Sequence, residues 1–148
     1  MRMHSEPSDT DVCFAIRQAA RQVSRFYERY LSQAGLTPSQ FCILRSLEPE
    51  VGATMAELAR ATSTDRTTLV RALKPLLRAA LVEQAHDKGQ RQRIALTLAG
   101  RRRLAEALRC WRTAQAAFER RFGARRTDAL YRELASVSRD LLSDGAAA

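Results

Sequence analysis

The sequence predicts a mainly α-helical chain with one small β-wing, and three observations lead to this class. Residues 54–74 read as two short helices, because apolar residues recur at helical spacing on both sides of a polar break. Residues 81–97 alternate apolar and polar positions around a turn, as the strands of a hairpin do. Longer helical patterns lie on either side, at about 11–34 and 98–122. This order predicts a winged helix-turn-helix module flanked by long N- and C-terminal helices.

Two helices are predicted ahead of the helix-turn-helix. The first, long helix has Thr10 or Asp9 as its N-cap and Gly35 just after its end. The second starts at Thr37-Pro38. Proline lacks a backbone N–H group, and in the first turn of a helix this costs nothing because an N–H there has no helical partner. Pro49 is expected to stop this second helix.

The helix-turn-helix begins with a capping box, in which the Thr54 hydroxyl and the Glu57 carboxylate each accept from a backbone N–H at the helix start. The following helix is predicted to begin at Thr64. Its inward residues are predicted to be Leu69, Val70, Leu73 and either Leu76 or Leu77. Pro75 removes one helical hydrogen bond and predicts a kink or a helix end.

The wing is predicted as strands at about 81–86 and 91–97, with Ile94 and Leu96 inward and the turn Asp87-Lys88-Gly89-Gln90 between the strands. A long helix at about 98–122 and a last helix at about 126–143 follow.

Composition restricts the partners. The chain has 148 residues, and 25 Lys and Arg against 16 Asp and Glu give a net charge of +9. Such an excess favours nucleic acid, because neutralised phosphates release condensed counterions, although a basic solvated surface is the alternative. The three cysteines form no CxxC and no Cys/His cluster, so neither a disulfide scaffold nor a metal site is expected, and no cofactor is. A membrane span and a signal peptide are not predicted either, which makes the cytoplasm the expected location.

The long terminal helices carry apolar stripes that so small a module cannot cover. We therefore expect a two-fold homodimer, which also suits DNA, since two recognition helices then meet half-sites about 10 base pairs apart. The predicted organisation is a disordered tail at 1–9, dimerisation helices at 10–36 and 98–143, the winged DNA-binding module at 37–97 and a second disordered tail at 144–148.

Hydroxyl and guanidinium side chains at the start of the second helix of the helix-turn-helix are the candidate readers of promoter DNA, because arginine pairs with guanine and threonine contacts bases or thymine methyls. The candidates there are Thr64, Arg66, Thr67, Thr68 and Arg71. Ser39 is a candidate phosphate contact at the start of the preceding helix, and Arg91 and Arg93 are candidates for backbone or minor-groove contact from the wing. Solvated surface positions are the alternative for each.

Five segments resemble the MarR family of bacterial transcriptional regulators over nearly the whole chain, about residues 11–142. They are Leu36-Thr37-Pro38-Ser39-Gln40-Phe41, Met55-Ala56-Glu57-Leu58-Ala59, the run from Asp65 to Leu73, Leu81-Val82-Glu83 and Leu96-Thr97-Leu98-Ala99-Gly100. The last is similar to the family's LTxxG exit from the wing. The resemblance implies a dimer on pseudo-palindromic sites, mostly acting as a repressor that a small aromatic ligand or an oxidant releases.

The wing departs from the family pattern. Members carry an Asp-Arg-Arg-like cluster, whereas here Asp87 is followed by Lys88-Gly89-Gln90 and the arginines stand at 91 and 93. Two questions therefore stay open at this stage: which arginine enters the minor groove, and whether Asp87 braces it.

Ligand and redox sites are further candidates. Ligand-pocket candidates are Phe14, Arg17, Tyr27, Phe41, Arg45 and Trp111, although aromatic residues at helical spacing are also ordinary core. Cys13, followed by Phe14, is similar to the peroxide-sensing cysteine of one branch of the family, in which tyrosines bind the thiolate. Tyr27 matches one of those tyrosines, and Arg17 lies one turn from Cys13. The alternative for Cys13 is packing at the dimer interface. Cys42 and Cys110 are predicted to be buried helix residues.

Two other classes of function are alternatives to a DNA-binding regulator. A winged-helix module that binds protein predicts a recognition helix without basic residues, and Arg66, Arg71 and the basic wing count against it. An enzyme is not predicted, because no His/carboxylate pair, glycine-rich phosphate loop or Ser/His/Asp arrangement is present.

Overall fold

The structure is a computed structural model that describes residues 11–47 and 50–145. Its elements are α1 (Val12–Leu31), a 3₁₀ turn (Ser32–Ala34), α2 (Pro38–Ser46), α3 (Met55–Ala61), α4 (Arg66–Arg78), β1 (Val82–His86), β2 (Gln92–Leu96), α5 (Leu98–Phe122) and α6 (Ala124–Gly145). The predicted class, mainly helical with a two-stranded wing, is confirmed. The chain divides into two units, Met1–Trp111 and Arg112–Ala148.

Local hydrogen bonds fix the ends of the first helices. Asp11 caps α1 by accepting from the N–H of Phe14 at 2.9 Å, so the prediction of Thr10 or Asp9 as the cap was wrong by one or two residues. The α-helical part of α1 ends at Leu31, three residues short of the prediction, because the chain tightens into the 3₁₀ turn before Gly35 turns left-handed at φ 68°. The predicted stop at Pro49 lies outside the described residues.

The capping box predicted for α3 is present, and α2 has one that was not predicted. Thr37 and Gln40 form a reciprocal pair at α2, with Pro38 at the first position. Thr54 and Glu57 form the same pair at α3, at 3.2 Å and 2.8 Å. Each pair satisfies two N–H groups that the helix itself leaves without partners.

Leucines fill the interior of the first unit, where α2, α3 and α4 pack on one another. The six largest fully buried side chains are Leu31, Leu44, Leu47, Leu58, Leu69 and Leu76. The chain turns between α3 and α4 through Ser63, whose φ is 49°. Each buried leucine contributes about 1.5–3 kcal/mol relative to an exposed one, so this core holds the helix-turn-helix in place.

α4 differs from its prediction in three respects. It begins at Arg66 with Asp65, not Thr64, as its cap, since the Asp65 carboxylate accepts from the N–H of Thr68 at 2.9 Å. It does not end at Pro75 but continues to Arg78, because buried Leu73 and Leu76 hold the last turn against the core. Val70 is exposed rather than inward.

The wing is an antiparallel pair in which Val82 faces Leu96 and His86 faces Gln92. Ile94 and Leu96 are buried as predicted. Ala53 adds a short third edge, exchanging two backbone hydrogen bonds with Ile94 at 2.9 Å and 2.8 Å. This bridge ties the wing to the segment that enters α3.

The second unit consists of the end of α5 and the whole of α6. α6 extends to Gly145, two residues into the segment predicted to be a disordered tail, while 1–9 and 146–148 lie outside the described residues. Its apolar residues at helical spacing, Leu130, Leu134, Val137 and Leu141, are exposed. Within the described parts of the chain, no helix has both the length and the hydropathy needed to cross a membrane.

Candidate nucleic-acid interface

The start of α4 carries three exposed side chains available for contact: Arg66, Thr67 and Arg71. Within the described residues, no hydrogen bond or ion pair engages these three side chains. Lys74 lies about one turn beyond Arg71 and extends the exposed face. Its spacing of three residues from Arg71 is the sequence signal that places both side chains on one helix face. Two guanidinium groups and a hydroxyl therefore project from the end of the helix that meets the major groove in a helix-turn-helix.

The other two threonines of this cluster donate inside the protein. The Thr68 hydroxyl donates to the second carboxylate oxygen of Asp65 at 2.7 Å, and the Thr64 hydroxyl donates to the carbonyl of Thr62 at 3.0 Å. The backbone N–H of Thr68 lowers the pKa of Asp65, which keeps the cap ionised. Thr64 and Thr68 thus hold the turn and the helix start in place.

The two wing arginines have different surroundings. The Arg91 side chain is 78% exposed and lies 3.7 Å from Asp87, whereas the Arg93 side chain is 16% exposed. Arg93 donates from Nε to the carbonyl of Val51 at 2.9 Å, and from Nη2 to the carbonyl of Gly52 at 3.0 Å. The same nitrogen donates to the Glu57 carboxylate at 3.1 Å. Arg93 is therefore a brace between the wing and the start of α3, and Arg91 is the wing arginine that points to solvent.

Asp87 organises the wing turn. One carboxylate oxygen accepts from the N–H groups of Gly89 at 2.8 Å and Arg91 at 3.0 Å. The other lies within 3.7–3.8 Å of the guanidinium nitrogens of Arg91 and Arg93. Hydrogen bonding by the Arg91 N–H, together with these charges, lowers the pKa of Asp87 below its ordinary value. Asp87 braces both arginines despite the departure from the family spacing.

We predict an acid-dependent stability from this carboxylate. Because folding lowers the pKa of Asp87, its contribution is present above the unfolded pKa of about 3.9 and is lost as the pH falls through the lower folded value. Asp87→Asn should therefore lose stability at pH 7 and show a smaller fall in the free energy of unfolding between about pH 5 and pH 2. Urea unfolding across that range measures both.

Asp128→Asn is the control for this prediction, because Asp128 pairs with Arg132 on an exposed helix surface. It should follow the wild-type pH profile. If Asp87→Asn and Asp128→Asn give the same profile, the wing carboxylate does not contribute to acid-sensitive stability.

Ser39 lies exposed in the first turn of α2, on the same unit as α4 and the wing. Its hydroxyl stands next to the Thr37–Gln40 capping box, whose hydrogen bonds of 3.2 Å and 3.0 Å fix the backbone there. Ser39 is thus placed on a rigid helix start, as a phosphate contact requires.

A cavity of about 190 Å³ lies between α1, α2 and the first part of α5. Four of the six predicted pocket residues line it, namely Tyr27, Phe41, Arg45 and Trp111. The Phe41 and Trp111 rings stack with their centroids 6.4 Å apart, and the Arg45 guanidinium lies 4.8 Å from the Trp111 ring centre. Among the described residues the lining is mostly apolar and Arg45 is its one charged residue, so the cavity suits a small planar molecule with a negative group.

The other two predicted pocket residues, Phe14 and Arg17, do not line this cavity. Both are exposed on the N-terminal half of α1. The residues of α1 that line the cavity begin nearly two turns further along the helix. Cys13 is exposed beside them, and 14 residues of helix, about 21 Å, separate it from Tyr27 of the same chain. Tyr27 therefore cannot bind the Cys13 thiolate within one protomer.

Cys42 differs from its prediction, because it is exposed and lines the cavity instead of being buried in a helix interface. Although the residue as a whole is exposed, desolvation of the thiol at the cavity wall raises its pKa, and the Arg45 guanidinium opposes that shift. A raised pKa favours the neutral, less nucleophilic form of a thiol.

The model of the MarR family matches residues 34–93, which span α2, the helix-turn-helix and most of the wing. The crystal structure of the M. tuberculosis transcriptional regulator MosR is 34% identical, with a TM-score of 0.77, and the match covers 91% of this chain and 98% of MosR. The chain belongs to the MarR family. It is thus a MarR-family regulator of transcription with the winged DNA-binding fold.

Two other MarR-like proteins are similar to this regulator. The HTH-type transcriptional regulator TtmR of Methylorubrum extorquens (strain PA1) is 30% identical over 90 residues, 61% of this chain; this match spans about half of TtmR, 46% of its length. The repressor CouR bound to a 23-mer DNA duplex is 25% identical with a TM-score of 0.78, covering 86% of this chain and 92% of CouR. A further CouR structure, 26% identical to this chain, holds p-coumaroyl-CoA.

Proposed function

We propose that this protein is a homodimeric, sequence-specific DNA-binding repressor that a small aromatic ligand releases from promoter DNA. The observation that carries the proposal is the rigid α4 start, where Arg66, Thr67 and Arg71 are exposed while Asp65 and Thr68 fix the helix end behind them. Pre-organised side chains on a recognition helix lose little entropy on binding, so they suit base reading.

The wing supports the same function. Arg91 projects to solvent from a turn that Asp87 holds closed, and Arg93 ties that turn to α3. An exposed arginine on a fixed hairpin suits contact with DNA backbone or the minor groove. Ser39 on α2 offers a further phosphate contact. Residues of α2, α4 and the wing, which belong to one unit, then contact the DNA together.

Dimer formation is supported by apolar residues that the single chain leaves in water. On α1 these include Val12, Ile16 and Val23, and on α6 they include Leu134 and Leu141. On each helix, exposed apolar residues mark an interaction surface, and a second copy is the economical partner for a protein that reads two half-sites.

The cavity supports release by a ligand. Its volume of about 190 Å³ accommodates one ring-sized group, the stacked Phe41 and Trp111 provide aromatic surface, and Arg45 provides the positive charge. α2 joins both sites, because Phe41 and Arg45 line the cavity while Ser39 lies in the first turn of the same helix. A ligand that moves α2 therefore changes the DNA-contacting surface.

The test is fluorescence anisotropy of the protein with its own upstream promoter DNA and with a scrambled duplex across a salt series, repeated with aromatic acids and with hydroperoxide. A preference of about 10³ or more for the promoter, lost on addition of an aromatic acid, supports the proposal. Equal binding to both duplexes overturns specific recognition. If hydroperoxide releases the wild-type protein from DNA but does not release Cys13→Ser, the releasing signal is an oxidant and not an aromatic ligand.

Arg66→Ala is expected to weaken binding to the preferred duplex by about 1–3 kcal/mol, because an arginine that pairs with guanine contributes that much discrimination. Binding to scrambled DNA should change much less. Arg78→Ala is the matched control, since Arg78 is an exposed arginine at the opposite end of α4. Equal losses in the two variants would remove Arg66 from the base-reading set.

Arg91→Ala is expected to weaken binding to all duplexes alike and to reduce the salt slope by about 1, because one phosphate neutralisation is lost. Stability should change by less than about 0.5 kcal/mol, since the side chain is exposed. A loss confined to one DNA sequence would contradict the backbone role.

A further inference from the structure

Val70 is the unexpected residue on the exposed face of α4. It is 41% exposed, whereas the other large apolar residues at the centre of the helix, Leu69, Leu73 and Leu76, are buried. Its neighbours at four residues on either side are Arg66 and Lys74, both exposed. Side chains at this spacing form one ridge on the helix surface, so Val70 is an apolar side chain between two cations on that ridge.

Neither packing nor helix stability explains a valine at this position. The residue leaves a large part of its side chain in water, and β-branched residues form helices less well than alanine, lysine or arginine. Thr67, three residues earlier, places a second methyl-bearing side chain beside it. The recognition surface therefore contains a small apolar patch enclosed by Arg66, Arg71 and Lys74.

We propose that Val70 is a specificity-determining residue that contacts the methyl group of a thymine in the major groove. The inference rests on the proposed DNA-binding function and adds a specific base to it. In the major groove, thymine is the base whose edge presents an apolar group, while the other edges present donors and acceptors. A valine has no polar atoms with which to read those edges, so its preferred contact is the thymine C5-methyl.

The basic neighbours make this contact possible. Arg66 and Lys74 draw the helix surface towards DNA, and their long side chains reach past Val70 to base edges or phosphates. Val70, with a short and stiff side chain, contributes only where the helix surface is close to the base. Exclusion of water between two methyl-sized groups then favours thymine over every base without the methyl.

The experiment removes the methyl from the DNA and the valine from the protein. A preferred duplex is first selected from a randomised pool with the full-length protein, and each thymine in it is then replaced singly by deoxyuridine. Dissociation constants are measured for wild type, Val70→Ala and Val51→Ala. Val51 is the control, because it is a 71% exposed valine in the loop before α3. Val70→Ala should keep the fold, since alanine is the stronger helix former and the valine lies at the edge of the core and not inside it.

The expected result is that deoxyuridine at one thymine position weakens wild-type binding about fourfold, the value for one buried methyl-sized group. Val51→Ala should show the same loss, and Val70→Ala should show none at that position. If Val70→Ala retains every deoxyuridine effect, or weakens all duplexes equally, the inference is overturned while the regulator function stands. If selection yields no preferred duplex, the proposed function fails and this inference fails with it.

Discussion

Arg93→Ala is expected to lower the free energy of unfolding by about 2 kcal/mol, because it deletes charged hydrogen bonds whose acceptors stay behind. The carbonyls of Val51 and Gly52 and the Glu57 carboxylate all lose a donor that lies within 3.1 Å. The wing is then joined to α3 by the Ala53–Ile94 bridge without this brace. DNA affinity should also fall. Without the brace, wing side chains must be ordered when DNA binds, and this ordering costs about 0.5–1.5 kcal/mol of binding free energy for each side chain.

Urea unfolding and DNA binding across a salt series measure these two effects. The comparison with Arg91→Ala is decisive: both variants remove one arginine from the same wing, but only Arg93 is anchored inside the protein. Arg93→Ala should lose stability with an unchanged salt slope, and Arg91→Ala should do the reverse. Native stability with a reduced salt slope in Arg93→Ala would make Arg93 a phosphate contact and not a brace.

Gly100→Ala is expected to destabilise the protein by about 3 kcal/mol, although alanine normally stabilises a helix relative to glycine. A Cβ at position 100 would overlap the carbonyl oxygen of Leu81 and come within 2.9 Å of its carbonyl carbon. That oxygen accepts from the N–H of Thr97 at 3.1 Å, and the Thr97 hydroxyl accepts from the N–H of Gly100 at 3.0 Å. The obstruction is backbone at a helix start, which cannot move aside cheaply.

Denaturant unfolding of Gly100→Ala tests this, with Gly89→Ala as the control. A Cβ at Gly89 meets only a side-chain oxygen of Asp87, at 3.3 Å, so its cost should be much smaller. Equal stability of the two variants would mean that the wing exit can shift to admit a side chain, contrary to the packing described here.

The sequence predicted best where the stabilising contacts are local. The predicted Thr54–Glu57 capping box joins residues three apart, and it forms; the predicted start of α2 at Thr37-Pro38 is likewise local. The alternation that buries Ile94 and Leu96 is likewise a property of one strand. The confirmed fold class follows from such signals, because each helix and strand carries its own pattern.

The errors arise where distant packing decides. Of the two alternatives predicted at Pro75, a kink or a helix end, the end is wrong, because burial of Leu73 and Leu76 outweighs the loss of one hydrogen bond. Val70 lies at the edge of the apolar stripe, where sequence spacing cannot say whether the core reaches it. Phe14 and Arg17 lie on α1 with Tyr27, yet only the last turns of that helix border the cavity.

The same distinction between local and distant contacts applies to the candidate DNA-contacting surface. Residue type and helical spacing are enough to predict the winged module, its basic character and the arginines and threonines at the start of α4. That Arg93 is a brace and Arg91 is exposed follows from the tertiary structure, since the hydrogen-bond partners of Arg93 lie 36–42 residues away in sequence. Two arginines two residues apart carry the same charge; what separates their roles is which acceptors the fold brings within hydrogen-bonding distance.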